Sequence, residues 1–293
     1  MKNLLLATWA ILIAISANAQ PPFVLSTNVY RVPYANGTDV HVSRDHRIHT
    51  PSGRYDMSGR NNGSSCTSNY PIVAAAEGIV RRIVDNHNVS PPDCDPNCAD
   101  FNNYVWIEHA NGEWSKYSHM KQNSTSVTAG LNVGDQVCAG TLLGYECEVG
   151  QASGPHLHFE VRVPNNPANV QISTAGGFMS DAAHVIPVIN SIGLHYFNAN
   201  YDITASGSTA CANNNLQLNL PFAINNDGVR IYLASSTVQT LAGISIIYNN
   251  GSNGMFQAGG SVTLSPGFQA MPGSNFHARI GNCSTTGMAG GCQ

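Results

Sequence analysis

The stretch Ser153-Gly-Pro-His-Leu-His-Phe-Glu-Val-Arg-Val163 decides how this chain is read. From His156 to Val163 the residues alternate in the way of a half-buried strand, entered through a Ser-Gly-Pro turn. On a strand, residues i and i+2 point the same way, so His156 and His158 project side by side from one face. Two imidazoles on a rigid strand suit a zinc site, one as ligand and the other beside the metal's water. Working outward, Val133–Val137 and Leu142-Leu143-Gly144 are short apolar pieces between glycines. Tyr104–His109 alternates and meets a hairpin signal at Ala110-Asn111-Gly112, and Pro71–Val84 is small and β-branched, broken by Gly78. No convincing amphipathic helix occurs in this region. The fold class expected is mostly β.

Eleven His against three Lys is the anomaly of composition, and the histidines cluster at 41, 46, 49, 109, 119, 156 and 158. Tyr117-Ser118-His119-Met120 follows the Gly112 hairpin. Upstream, Asp45-His-Arg-Ile-His-Thr-Pro-Ser-Gly-Arg-Tyr-Asp56 contains a Pro51-Ser52-Gly53 turn across which His49 and Asp56 can face each other. A histidine and a carboxylate are donors that zinc accepts, with His46 an alternative to His49. His109 lies on a strand in a position that reads as structural. There is no HExxH, GxSxG, P-loop or dinucleotide fingerprint.

The chain has 293 residues, and its charged residues make up only 10%, against about 25% in average globular proteins. A net charge of −4 gives no cationic surface for DNA or RNA, so no nucleic-acid partner is expected. Lys2, the apolar run Leu4–Ile15 and Ala17-Asn18-Ala19 read as a signal peptide over 1–19, with a mature start at Gln20 and a periplasmic or secreted destination. That run is too short to span a bilayer, and no later segment is apolar enough, so no transmembrane segment is expected. Eight Cys in an exported chain favour disulfides, and the local pairs Cys94–Cys98 and Cys138–Cys147 are the expected ones. Cys66, Cys211, Cys283 and Cys292 stay unassigned. The expected organisation is an N-terminal segment 20–39, a catalytic β region 40–165, a connector 166–210 and a small C-terminal repetitive β domain 211–293, where strand–glycine–strand texture recurs.

The order of a His/Asp element, a YxH element and HxH resembles the lysostaphin-type, LytM-like zinc metallopeptidases, which cut peptidoglycan peptide cross-bridges. Pro71–Ala75 with Gly78, Val105–His109, Val133–Val137 and Ser153–Glu160 extend the likeness over about 40–165. The resemblance implies an antiparallel β-sheet groove of the duplicated hybrid kind, with Zn2+ on its floor held by His49, Asp56 and His158. It implies His119 and His156 as the catalytic pair. The family's first motif is normally HxxxD, whereas His49 and Asp56 are separated by six residues. That departure motivates an alternative, a catalytically degenerate wall-binding or hydrolase-activating protein. Wall or surface binding is the candidate role of the C-terminal domain.

Overall fold

The computed structural model describes residues 23–60, 66–67, 70–190, 192–206, 214–226 and 228–281. The signal-peptide reading and Cys211, Cys283 and Cys292 lie outside them. Twelve strands build the first part. In chain order they are β1 (Val24–Tyr30), β2 (Asp39–Arg44), β3 (Tyr55–Gly59), β4 (Pro71–Val73), β5 (Gly78–Val84) and β6 (Tyr104–Glu108). They continue as β7 (Trp114–Ser118), β8 (Gln136–Val137), β9 (Leu142–Tyr145), β10 (Leu157–Pro164), β11 (Ala182–Ile189) and β12 (Tyr201–Thr204). Among the described residues helix is confined to a 3-10 turn at Cys98–Phe101 and a π turn at Ser124–Thr128.

The main sheet runs β12-β2-β3-β10-β7-β6-β5-β8, antiparallel along this path, with β4 and β9 forming a separate pair. β10 is its hub. One edge pairs with β7; the other pairs first with β3 and then with β11. Because strand side chains alternate, Leu157, Phe159 and Val161 enter the core while His158, Glu160 and Arg162 share the opposite face. The core beneath is aromatic and β-branched, with Tyr117 and Phe159 rings 5.4 Å apart and Phe197 packed between Phe159 and Tyr55. Residues read as N-terminal segment and connector supply strands as well: β1 pairs in parallel with β11, and β12 pairs with β2.

The C-terminal part coils into three-strand turns. Its strands are β13 (Asn215–Leu218), β14 (Phe222–Ile224), β15 (Val229–Ala234), β16 (Thr237–Thr240) and β17 (Ile246–Tyr248). Four more follow as β18 (Asn253–Ala258), β19 (Ser261–Thr263), β20 (Phe268–Ala270) and β21 (Asn275–Ile280). They stack in parallel as β13-β16-β19, β14-β17-β20 and β15-β18-β21, a small solenoid. Equivalent polar residues 22 or 24 apart bond between coils, as Thr237 Oγ1 donates to Asn215 and Asn249 Nδ2 to Asn225. Phe256, Phe268, Phe276 and Tyr248 fill the interior. Leu25, Val29, Ile186 and Val188 of β1 and β11 pack against Ile231, Leu233 and Met255, so the solenoid shares an apolar seam with the sheet.

One of the two expected local disulfides forms, Cys94–Cys98. The other expectation is corrected: Cys147 bonds to Cys66, 81 residues away, and not to Cys138. The reason lies in the sheet, since β8 leads Cys138 toward β5 whereas β9 leaves to pair with β4. Cys138 is disulfide-bonded elsewhere.

His109 is buried and structural in its contacts, Nδ1 lying 2.7 Å from the Glu77 carbonyl and Nε2 2.9 Å from Ser115 Oγ. Burial lowers its pKa from 6.5, which favours the neutral ring. A group with a depressed folded pKa contributes stability above its unfolded pKa and loses it as pH falls. His109→Gln is therefore expected to flatten the decline of unfolding free energy below pH 6.5, by at most about 1.4 kcal/mol per pH unit. Urea titrations from pH 7 to 5 check this; parallel curves for the two proteins would contradict it.

Candidate active site

Register places the site. His158 on β10 is directly opposite Asp56 on β3 and opposite Ser118 on β7. Facing residues on paired strands stand about 4.5–5.5 Å apart at Cβ, so the carboxylate is delivered to the imidazole by strand pairing. His49 arrives from the loop before β3, which doubles back at Gly53 (φ +85°). A Cβ at that position would come within 2.5 Å of the His184 ring, so glycine is required both by the turn and by the close approach.

Three donor-type atoms converge. Asp56 Oδ1 lies 3.3 Å from His49 Nε2 and 3.2 Å from His158 Nδ1, and the group spans no more than 4.8 Å. All three residues are buried. His49 Nδ1 sits 2.9 Å from the Pro51 carbonyl. A carbonyl only accepts, so in the neutral ring that nitrogen carries the proton and Nε2 turns a lone pair toward the carboxylate. Asp56 Oδ1 and His158 Nε2 are both buried without a hydrogen-bond partner. A His49 lone pair facing a carboxylate oxygen calls for a cation between them. Zinc bonds of about 2.0–2.2 Å in a tetrahedron give donor separations of about 3.3 Å, which the two distances from Asp56 Oδ1 match. Burial works to raise the Asp56 pKa, but His158, His49 and His156 outweigh it and hold the carboxyl below its ordinary range.

His156 and His119 stand beside this group, their rings 4.7 Å apart. His119 follows β7 with a left-handed backbone (φ 65°), a costly conformation for a non-glycine residue and one that turns its ring into the groove. Its Nδ1 lies 2.9 Å from the Val149 carbonyl, and His156 Nδ1 lies 2.8 Å from the Gly154 carbonyl. Both Nε2 atoms are consequently free acceptors. Burial lowers both pKa values; neighbouring His156 and His158 add to this at His119, while Asp56 opposes it at His156. The two rings are neutral at pH 7 and able to take a proton. His46, the alternative to His49, packs instead against Phe23 and Tyr55.

Behind the site lies a cluster that sequence reasoning missed. Glu160 is fully buried, with Arg54, Lys116 and Arg162 nitrogens at 3.5, 3.5 and 3.4 Å and His158 Nε2 at 3.8 Å. Burial pushes its pKa up, but Lys116, His158 and Arg54 hold it well below the ordinary value. Burial lowers Lys116 to about 8 against the pull of Glu160. A lysine between Trp114 and Tyr117 in the short strand Trp114–Ser118 was the available signal. The group opens on a cleft of about 860 Å³ lined by His49, Asp56, His119, His156, His158 and Arg54, among others.

Residues 62–171 match the sequence model of Peptidase family M23. The match begins after His49 and Asp56. DD-carboxypeptidase/endopeptidase Mpg of Neisseria meningitidis serogroup B is 33% identical over 86 residues, 28% of this chain and 18% of its own. Peptidoglycan DD-endopeptidase ShyC of Vibrio cholerae is 31% identical over 109 residues, 36% of this chain and 21% of its own. The chain thus spans about a fifth of the length of these curated relatives. Among solved structures, lysostaphin from Staphylococcus simulans aligns over 54% of this chain and 52% of its own at 18% identity, with a TM-score of 0.34. The M23 metalloprotease pseudoalterin aligns over 54% of this chain and 96% of its own at 21% identity and the same TM-score, 0.34.

Glu160→Gln would leave three buried cations without their shared carboxylate. It is expected to lower stability by about 3–5 kcal/mol, measured by urea unfolding of metal-free protein; a loss below about 1 kcal/mol would contradict this balance.

Proposed function

We propose, from the match of residues 62–171 to the model of peptidase family M23, that this protein is an exported zinc metalloendopeptidase that hydrolyses peptide bonds of bacterial peptidoglycan. The observation that carries the reading is the convergence of one ligand atom each from His49, Asp56 and His158 within 4.8 Å, with two neutral histidines alongside. His49, Asp56 and His158 would hold the ion. Zinc at this position supplies Lewis acidity, acidifying water and polarising the scissile carbonyl.

The chain's own residues do the rest. His119 and His156 offer Nε2 lone pairs, fixed in direction by the carbonyls that hold their Nδ1 protons. One accepts the proton of the attacking water at Nε2 and returns it to the departing amine, while the other, protonated from solvent, would stabilise the tetrahedral oxyanion. Glu160 Oε1 faces His158 Nε2 at 3.8 Å, beyond hydrogen-bond reach, so its negative charge acts on that edge of the ring through space while Nδ1 faces Asp56. The solenoid, joined to the sheet by its apolar seam, would present the groove to the wall or cell surface. The same export reading places the protein in the periplasm or outside the cell.

The second reading, a wall-binding or hydrolase-activating protein without turnover, draws on the lengthened His49–Asp56 spacing. Two variants separate the possibilities. Asp56→Ala is expected to lose bound zinc and at least about a thousandfold in kcat/KM on cross-linked muropeptides. His119→Gln is expected to keep its zinc while losing about 10²–10⁴-fold. Zinc-replete wild-type protein that leaves purified sacculi intact would overturn the hydrolase reading and favour the second.

A further inference from the structure

The cleft is cationic in a chain that is not. Thirteen Lys and Arg serve the whole sequence, against seventeen Asp and Glu. Yet Arg44, Arg54, Lys116 and Arg162 all line this one cleft, with Asp56 the sole carboxylate residue on its lining among the described residues. A divalent cation at Asp56 would make the wall more positive still.

Two of these cations are already engaged. Lys116 Nζ donates to the Gly176 carbonyl at 2.7 Å, and Arg162 Nη2 donates to the Met179 and Ala182 carbonyls at 2.9 and 2.6 Å. Arg54 differs. It is only 9% exposed, its guanidinium carbon lies 4.3 Å from the Phe178 ring centre, and its Nε is 3.5 Å from Glu160, too far for a hydrogen bond. That Nε is among the buried atoms without a partner, and no hydrogen bond from the Arg54 side chain occurs among the described residues. Glu160 Oε2 accepts a hydrogen bond from Arg162 Nη1, and its contact with Arg54 Nε is an ion pair at 3.5 Å without a hydrogen bond. What remains is a planar fork of donors, stacked on an aromatic face, largely desolvated and separated from the metal-ligating group by a single buried carboxylate.

A guanidinium fork matches a carboxylate in two parallel hydrogen bonds, and desolvation strengthens such a pair. We propose that Arg54, backed by Phe178, forms a carboxylate subsite that selects substrates carrying a free carboxylate near the scissile amide. This rests on the hydrolase reading for its substrate and deepens it. Two sources present that chemistry: the terminal carboxylate of an uncross-linked peptide, and the α-carboxylate of the residue whose amine leaves when a cross-link is cut.

The test uses full-length protein in two arms. In the first, metal-free protein is titrated with N-acetylglycine and with N-acetylglycinamide while the Arg Nε–H resonances are followed by NMR. Saturable shifts with the carboxylate alone, lost in Arg54→Gln, are expected. In the second, kcat/KM is measured on two matched pairs, a linear peptide ending in carboxylate or carboxamide, and a cross-linked dimer with the leaving residue's α-carboxylate free or amidated. At least one pair should favour the carboxylate by about tenfold or more. That ratio should fall close to one in Arg54→Gln and be partly kept in Arg54→Lys, with thermal melting and zinc content confirming that the variants fold. The pair that responds identifies the source. Ratios near one in wild type, a preference that Arg54→Gln retains, or equal NMR response to both probes would overturn the subsite. If no peptide is cut but N-acetylglycine still shifts an Arg54-dependent resonance, the hydrolase reading fails and the subsite stands.

Discussion

The pairing register of β10 is the constraint on which the rest depends. This strand holds β7 on one side and β3 then β11 on the other, setting His158 opposite both Asp56 and Ser118 and Glu160 opposite Lys116. A one-residue slip would exchange the two faces, turning Phe159 and Val161 into the groove and His158 and Glu160 into the core. The apolar face prevents that, because Leu157, Phe159 and Val161 are fully buried against Tyr117, Tyr55 and Phe197. Hydrophobic packing on one side therefore fixes polar geometry on the other.

The polar face is costly to bury, and the sequence meets that cost with one shared carboxylate. Glu160 stands between Arg54, Lys116, Arg162 and His158. Those cations in turn hold the far wall, Lys116 through the Gly176 carbonyl and Arg162 through the carbonyls of Met179 and Ala182. The groove wall, the Phe178 platform and the ring of His158 are thus positioned by a single charge network in a low-dielectric setting, where both the attraction and the penalty for disruption are large. The neutral rings of His119 and His156, each pinned at Nδ1 by a backbone carbonyl, complete a face whose acceptor atoms are directed before any substrate arrives.

Much of this was legible in the sequence because strand periodicity is local. The alternation in His156–Val163 is enough to set two imidazoles side by side, and the Pro51-Ser52-Gly53 turn is enough to bring His49 back toward Asp56. The glycine-punctuated texture after Cys211 likewise reads as a repetitive β domain, and its strands stack in three parallel sheets. Long-range pairing leaves no such trace. The parallel union of β1 with β11 joins segments more than a hundred residues apart, so 166–210 reads as a connector although it supplies β11 and β12. The Cys66–Cys147 bridge was missed for the same reason. Lys116 reads locally as one charge in a short strand, since nothing local announces that β10 will set Glu160 against it.

X-ray absorption at the zinc edge of the purified full-length protein tests the central claim most directly. Two imidazole nitrogens and one carboxylate oxygen are expected at about 2.0–2.2 Å, with imidazole scattering reduced in His158→Ala. A zinc-saturated wild type lacking imidazole scattering, or a His158→Ala spectrum identical to wild type, would contradict it.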